Sequence, residues 1–268
     1  MRLPFPARRG TLAAMTLHHT VSGTGPPVVL LHAGVADSRM WSVQAGSGPG
    51  GLADRFTLVA PDLRGFGRSP EPSPEDAPWS HAGDVLTVLD ELGIGTASVV
   101  GCSYGGRVAL ELAALAPDRV DRLVLVCSAL RGLEPTASVR AFADEEDALL
   151  EAGDVAAATD LNVRTWVGPE ADDAVRDLVR TMQRRAFEVQ LAADEVEAED
   201  VVVDLAAITI PTTVMYGAKD LDHFANAARH LHEHLPQSEL VELPWAGHLP
   251  TLERPEEMAG RLSAALAV

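Results

Sequence analysis

The stretch Gly101-Cys102-Ser103-Tyr104-Gly105-Gly106 constrains this chain of 268 residues more than any other. It fits G-x-S-x-G, and its setting matters as much as its letters. Ala97-Ser98-Val99-Val100 before it is a short apolar run that reads as a buried strand, and Arg107 to Leu115 after it has helical spacing with few strand formers. A serine pinned between a strand end and a helix start sits on a sharp turn. Gly101 and Gly105 there permit strained backbone angles and close helix–strand packing. The hydroxyl is held out from the turn, and the helix N-terminus directs its partial positive charge at whatever the serine attacks.

A serine hydroxyl is a weak nucleophile without a base and a group that orients the base. The candidate base is His248, in Pro244-Trp245-Ala246-Gly247-His248-Leu249-Pro250. That segment follows the strand-like Leu240-Val241-Glu242-Leu243 and precedes a helix signal at Arg254-Pro255-Glu256-Glu257, so it is a loop at a strand end. The acid is expected between the two, after another strand. Pro211 to Tyr216 is a β-rich run that ends in a Gly217 turn, and Asp220 follows directly, with Asp222 as the alternative. The preceding strand ends in Cys127-Ser128-Ala129-Leu130 and offers no carboxylate. The order serine, acid, histidine is the one used when the serine sits between strand and helix. The acid would accept the imidazole N–H, fix its tautomer and stabilise the imidazolium.

The developing oxyanion needs donors. One is the backbone N–H of Tyr104, next to the serine. The second is expected in the loop after Val28-Val29-Leu30-Leu31-His32-Ala33-Gly34-Val35, at Gly34 or alternatively Val35. A backbone donor survives side-chain replacement, so Gly34 should respond to steric substitutions. His32, at the junction of strand and loop, is expected to bond the backbone.

On these residues the chain resembles the α/β-hydrolase superfamily, of the capped esterase and lactonase kind. The matching stretches are Leu31-His32-Ala33-Gly34 with Trp41 downstream, Ala60-Pro61-Asp62-Leu63-Arg64-Gly65-Phe66-Gly67-Arg68-Ser69, the turn at Ser103, Gly217 to Asp220, and Gly247-His248. The resemblance spans about residues 16–268. It departs where the family often has His-Gly and this chain has His32-Ala33, with the glycine one place later. Relatives that open epoxides or remove halides use an aspartate at the nucleophile position, and the serine here argues against both. The resemblance implies hydrolysis of a small to medium ester or lactone through an acyl-enzyme on Ser103, with no cofactor and no metal. Two alternatives use the same scaffold: a C–C bond hydrolase of a β-diketone-like substrate, and a ligand-binding or receptor protein.

Composition agrees. The length suits one α/β domain with an insertion. A formal net charge of −18 disfavours nucleic acid and anionic membrane surfaces as partners and leaves a small-molecule substrate, with oligomeric state open. No apolar run approaches the ~20 residues that span a bilayer. Arg2, Arg8 and Arg9 are not followed by an apolar stretch, so no signal peptide is read. Residues 1–14 are expected to be a loose arm, with Met15 as an alternative start. Cys102 and Cys127 read as free buried thiols, which fits a cytoplasmic protein. His230, His232 and His234 look like a metal cluster, but on a helix only His230 and His234 share a face, before Pro236.

Strands are expected near Thr16–Val21, Pro27–His32, Phe56–Ala60, Ala97–Cys102, Arg122–Cys127, Thr212–Tyr216 and Glu239–Leu243. Helices are expected at His81–Leu92, Arg107–Leu115, Asn226–His234 and Pro255–Leu266. Such alternation predicts an α/β fold, a mostly parallel sheet with helices on both faces and its ligand crevice at the C-terminal strand ends. The core is expected over 15–129 and 211–268. Residues 130–210 lack strand signals and read as a four-helix cap over Val139–Leu150, Val155–Trp166, Ala171–Ala186 and Phe187–Ala193. About half of the 39 acidic residues fall there, as an outer solvated face. Trp41, Phe66, Phe142, Trp166 and Trp245 are candidate pocket residues, with Met182 and Phe187 on the inner cap face. Asp62 and Arg64 are expected to tie down the turn that follows the Phe56–Ala60 strand.

Overall fold

Seven short segments become the strands of one sheet: β1 (His19–Ser22), β2 (Pro27–Leu31), β3 (Thr57–Pro61), β4 (Ala97–Cys102), β5 (Val120–Val126), β6 (Thr212–Gly217) and β7 (Ser238–Leu243). The computed structural model describes residues 17–76, 78–193 and 196–267; the arm expected over 1–14 lies outside them. The spatial order is β1-β3-β2-β4-β5-β6-β7. Only the β1–β3 pairing is antiparallel among these strands. Alternate residues of β2 to β7 feed two apolar clusters, as the two-residue period of a strand requires. Val28, Leu30, Val100, Val124 and Val126 enter one, with Trp41, Met258 and Leu262. Val29, Leu31, Val99, Leu123 and Leu125 enter the other, with Val85, Leu89, Val108 and Leu112.

The helices are α1 (His81–Glu91), α2 (Tyr104–Leu115), α3 (Ala137–Glu151), α4 (Val155–Trp166), α5 (Asp173–Gln190), α6 (Asp222–His234), α7 (Pro250–Glu253) and α8 (Pro255–Ala265). Polar N-caps fix several starts. Ser80 Oγ accepts from Gly83 N at 3.1 Å, and Asp172 Oδ1 accepts from Val175 N at 2.9 Å. Between β5 and β6 the described residues hold three α-helices, α3 to α5, instead of the expected four. The last two expected helices are one, because the apolar spacing Val179, Met182, Ala186, Phe187 runs unbroken across the supposed junction. No helix among the described residues is long and apolar enough to cross a membrane.

The close approach of α2 to the sheet depends on glycine. A Cβ at Gly105 would lie 2.6 Å from His32 O, and one at Gly101 would lie 2.7 Å from Gly106 Cα. Gly105→Ala is therefore expected to cost about 2–3 kcal/mol. Gly260, exposed on α8 with nothing within 4 Å of its would-be Cβ, is the control. Gly260→Ala should stabilise by ~1 kcal/mol, and urea unfolding of both variants measures the contrast.

Candidate active site

Ser103 has φ 52° and ψ −114°, a backbone conformation that side-chain-bearing residues avoid. Its neighbours hold it there. Ser103 N donates to Val126 O at 2.9 Å, and Ser103 O accepts from Ala129 N at 3.0 Å and Gly106 N at 2.9 Å. Tyr104 begins α2, so its N–H lies in the turn where backbone donors have no intrahelical acceptor.

His248 and Asp220 form a buried pair, with side chains 3% and 1% exposed. Nδ1 of His248 lies 2.6 Å from Oδ2 of Asp220 and must carry the proton, since a carboxylate only accepts. The other carboxylate oxygen accepts from Leu221 N at 2.7 Å. Asp222, the alternative acid, instead bonds Ser138 at 2.5 Å on the surface. Two rings flank the imidazole: Phe224 of α6, with centroids 4.1 Å apart, and Trp166 of α4, at 4.7 Å.

The loops that carry these groups are tied from behind. Gly217, before Asp220, and Gly247, before His248, touch: a Cβ on Gly217 would lie 2.5 Å from Ala246 O. Gly247 N donates to the buried carboxylate of Glu253 at 2.9 and 3.2 Å. Burial pushes the Glu253 carboxyl above its usual range, against the lowering effect of the Gly247 bond. His32 has the structural role expected of it. Its Nε2 accepts from Leu63 N at 2.9 Å and its Nδ1 donates to Ala33 O at 2.9 Å, with burial lowering its pKa. Asp62 takes N–H bonds from Ser38 at 2.8 Å and Arg68 at 2.9 Å, and Arg64 is forked to Asp84 at 2.6 and 2.8 Å.

A cavity of about 290 Å³ brings together Ser103, His248, Gly34, Val35 and Tyr104 under Phe142, Trp166 and Phe187. Gly34 has room for a Cβ, which would meet only the Tyr104 side chain at 3.6 Å. Only a larger side chain there would crowd the cavity. Three expected pocket residues lie elsewhere. Trp41 is fully buried in the core beneath the sheet. Trp245 does not line the cavity and is held by Nε1 donating to Glu257 at 3.0 Å and by Arg254 over its ring at 4.6 Å. Phe66 packs on His32, with centroids 5.0 Å apart, and lines a separate cavity of about 770 Å³ beyond Tyr104. Met182 is buried core of α5. Not anticipated were Phe224, Glu146, Asn162, Gln183 and Gln190, which also line the smaller cavity.

Cys127, Asp220 and His248 have ligand atoms within 4.8 Å of one another. They make a poor metal set, because the histidine and aspartate already bind each other and burial pushes the Cys127 thiol far above its usual pKa. Both cysteines are free and buried. His230 and His234 stack on the α6 surface, with ring centroids 4.1 Å apart.

The α/β hydrolase fold family matches residues 26–153 of the chain. Pimeloyl-[acyl-carrier protein] methyl ester esterase of Nitrosomonas europaea is 27% identical over 93% of this chain and 99% of its own length. A Caulobacter protein provisionally named carbamate hydrolase is 31% identical over 90% of this chain and 91% of its own. Among solved structures, a thermophilic esterase from Thermogutta terrifontis superposes with a TM-score of 0.77 at 26% identity, covering 93% of this chain and 92% of that one.

Glu253 gives this site a pH-dependent support. Because its folded pKa is raised, its contribution to stability is complete below the usual carboxylate range and is lost as pH rises through the folded value. Glu253→Gln should abolish that loss. Glu253→Leu should cost about 1–3 kcal/mol by stranding the buried Gly247 N–H. Denaturant melts across the acid-to-neutral range check both.

Proposed function

The chain belongs to the α/β-hydrolase family and is an α/β-fold hydrolase; from that premise we propose that it is a cofactor-independent serine hydrolase of small carboxylic esters or lactones. One observation carries the reading. A serine held in a strained turn and a buried histidine–aspartate pair open onto one cavity, with backbone N–H groups beside them.

In this mechanism Ser103 Oγ attacks the ester carbonyl while His248 Nε2 takes its proton. Asp220 holds Nδ1–H and stabilises the imidazolium in a site from which water is largely excluded. The N–H groups of Tyr104 and Gly34 receive the oxyanion, which develops next to the start of α2. His248 then protonates the leaving alcohol, and water activated by the same nitrogen hydrolyses the acyl-enzyme. The reacting groups come from the ends of β2, β4, β6 and β7, where a parallel sheet offers its ligand crevice. The helices α3 to α5 act as a cap whose inner rings form the remaining wall. A cavity of about 290 Å³ lies at the small end of ligand pockets and favours short acyl groups.

Wild type should hydrolyse p-nitrophenyl acetate and butyrate and lose turnover as the acyl chain lengthens. Ser103→Ala and His248→Ala should each lower kcat on the order of a thousandfold or more, and Asp220→Asn by a comparable factor, with melting behaviour retained. Near-wild-type turnover in Ser103→Ala would overturn the mechanism. Cleavage of β-diketones with poor ester turnover would transfer the same triad to C–C bond hydrolysis.

A further inference from the structure

The inner face of α5 is apolar at Val179, Met182, Ala186 and Phe187, and in the middle of it sits Gln183. Gln183 is 4% exposed, lines the cavity that holds Ser103 and His248, and its Oε1 has no hydrogen-bond partner. A buried amide oxygen without a partner is destabilising compared with a leucine or methionine in the same place. Native structures rarely keep such a group without a use for it.

Two other polar residues of the cavity are engaged within the protein. Asn162 donates to Ala158 O at 2.9 Å and to Glu146, and accepts from Trp166 Nε1 at 3.1 Å. Gln190 Nε2 donates to Gly65 O at 3.3 Å. Gln183 is thus the lining side chain whose amide oxygen has no partner within the protein.

We propose that Gln183 accepts a hydrogen bond from the substrate, and that this hydrolase prefers esters bearing a hydroxyl or amide N–H near the reacting carbonyl over plain alkyl esters. The inference rests on the serine-hydrolase reading for the place of the reacting carbonyl. A hydroxyl in reach of Gln183 satisfies the buried oxygen. An alkyl group in its place leaves that oxygen unpaired. Selectivity by a buried acceptor discriminates against the analogue that lacks the donor more sharply than a change of size does.

The test uses isosteric pairs: ethyl lactate with ethyl isobutyrate, and ethyl β-hydroxybutyrate with ethyl isovalerate. Their binding is titrated into the Ser103→Ala protein, which should leave the esters intact. At least one hydroxy ester is expected to bind about tenfold tighter than its isostere. In Ser103→Ala carrying Gln183→Met as well, the ratio should fall close to one. The ratio is taken within one preparation, so partial loss of folded protein cancels. Equal affinities within both pairs in the protein that retains Gln183, or a preference that persists in the Gln183→Met protein, would overturn the proposal. The two readings fail separately. Ester turnover by wild type without hydroxyl preference removes only the role of Gln183, and turnover by Ser103→Ala removes only the serine mechanism.

Discussion

Steric crowding at the turn between β4 and α2 is the constraint on which the site depends. Three glycines, Gly101, Gly105 and Gly106, stand where a Cβ would strike Gly106 Cα, His32 O and Ser128 Cβ at 2.6–2.7 Å. Removing three side chains lets the first turn of α2 settle onto the ends of β2 and β5. Ser103 is then forced into a left-handed φ of 52°, a strain of ~1–3 kcal/mol that surrounding contacts must offset. The offset is visible in the hydrogen bonds that tie its N–H and C=O to Val126 and Ala129. Gly34 lies beside the Tyr104 side chain without crowding, and both residues line one cavity.

A second crowded point supports the histidine. Gly217, Gly247 and Gly168 meet backbone to backbone, with a Cβ on Gly247 falling 2.5 Å from Gly168 Cα. Gly217 leads to Asp220, Gly247 leads to His248, and Gly168 follows α4. Asp220, His248 and the inserted helices are therefore fastened at one place, with the Glu253 carboxylate taking the Gly247 N–H beside it. Trp166 stands two residues before Gly168 and packs on the imidazole. Displacement of α4 would remove one wall of His248 and admit water to its pair with Asp220.

The sheet was readable because parallel strands buried on both faces must be short continuous apolar runs, and β4, buried at every residue, is the plainest of them. Ser103, Asp220 and His248 were readable because each follows such a strand in a loop marked by glycine. Sequence proximity misled elsewhere. Trp245 lies three residues before His248 and Trp41 seven after Gly34, yet one is turned outward to Glu257 and the other inward to the core. Phe224 was overlooked although it is the third residue of α6, the helix that begins two residues after Asp220. The polar lining was hidden for a different reason. In an insertion rich in charge, Glu146, Asn162 and Gln183 look like solvated residues. The one available signal was Gln183 itself, four residues after Val179 and four before Phe187, on the stripe that α5 buries.

The division of labour between sheet and insertion explains why the reaction is easier to read than the substrate. Every group assigned to bond making sits at the end of a strand, in a loop whose geometry follows from glycines and backbone hydrogen bonds. The side chains that size and polarise the rest of the cavity come largely from α3, α4 and α5. Those helices meet the reacting groups through a few rings and one glycine contact, so their inner residues can change without disturbing the turn at Ser103 or the pair at His248. A fold built this way keeps its chemistry while its selectivity drifts, which is how relatives about 27–31% identical over nearly the whole chain can bear the names of different hydrolases. The substrate is therefore written in the few inward polar side chains of the insertion. Among these Gln183 is the informative one, because its buried amide oxygen has no partner within the protein and its side chain lines the cavity of Ser103 and His248.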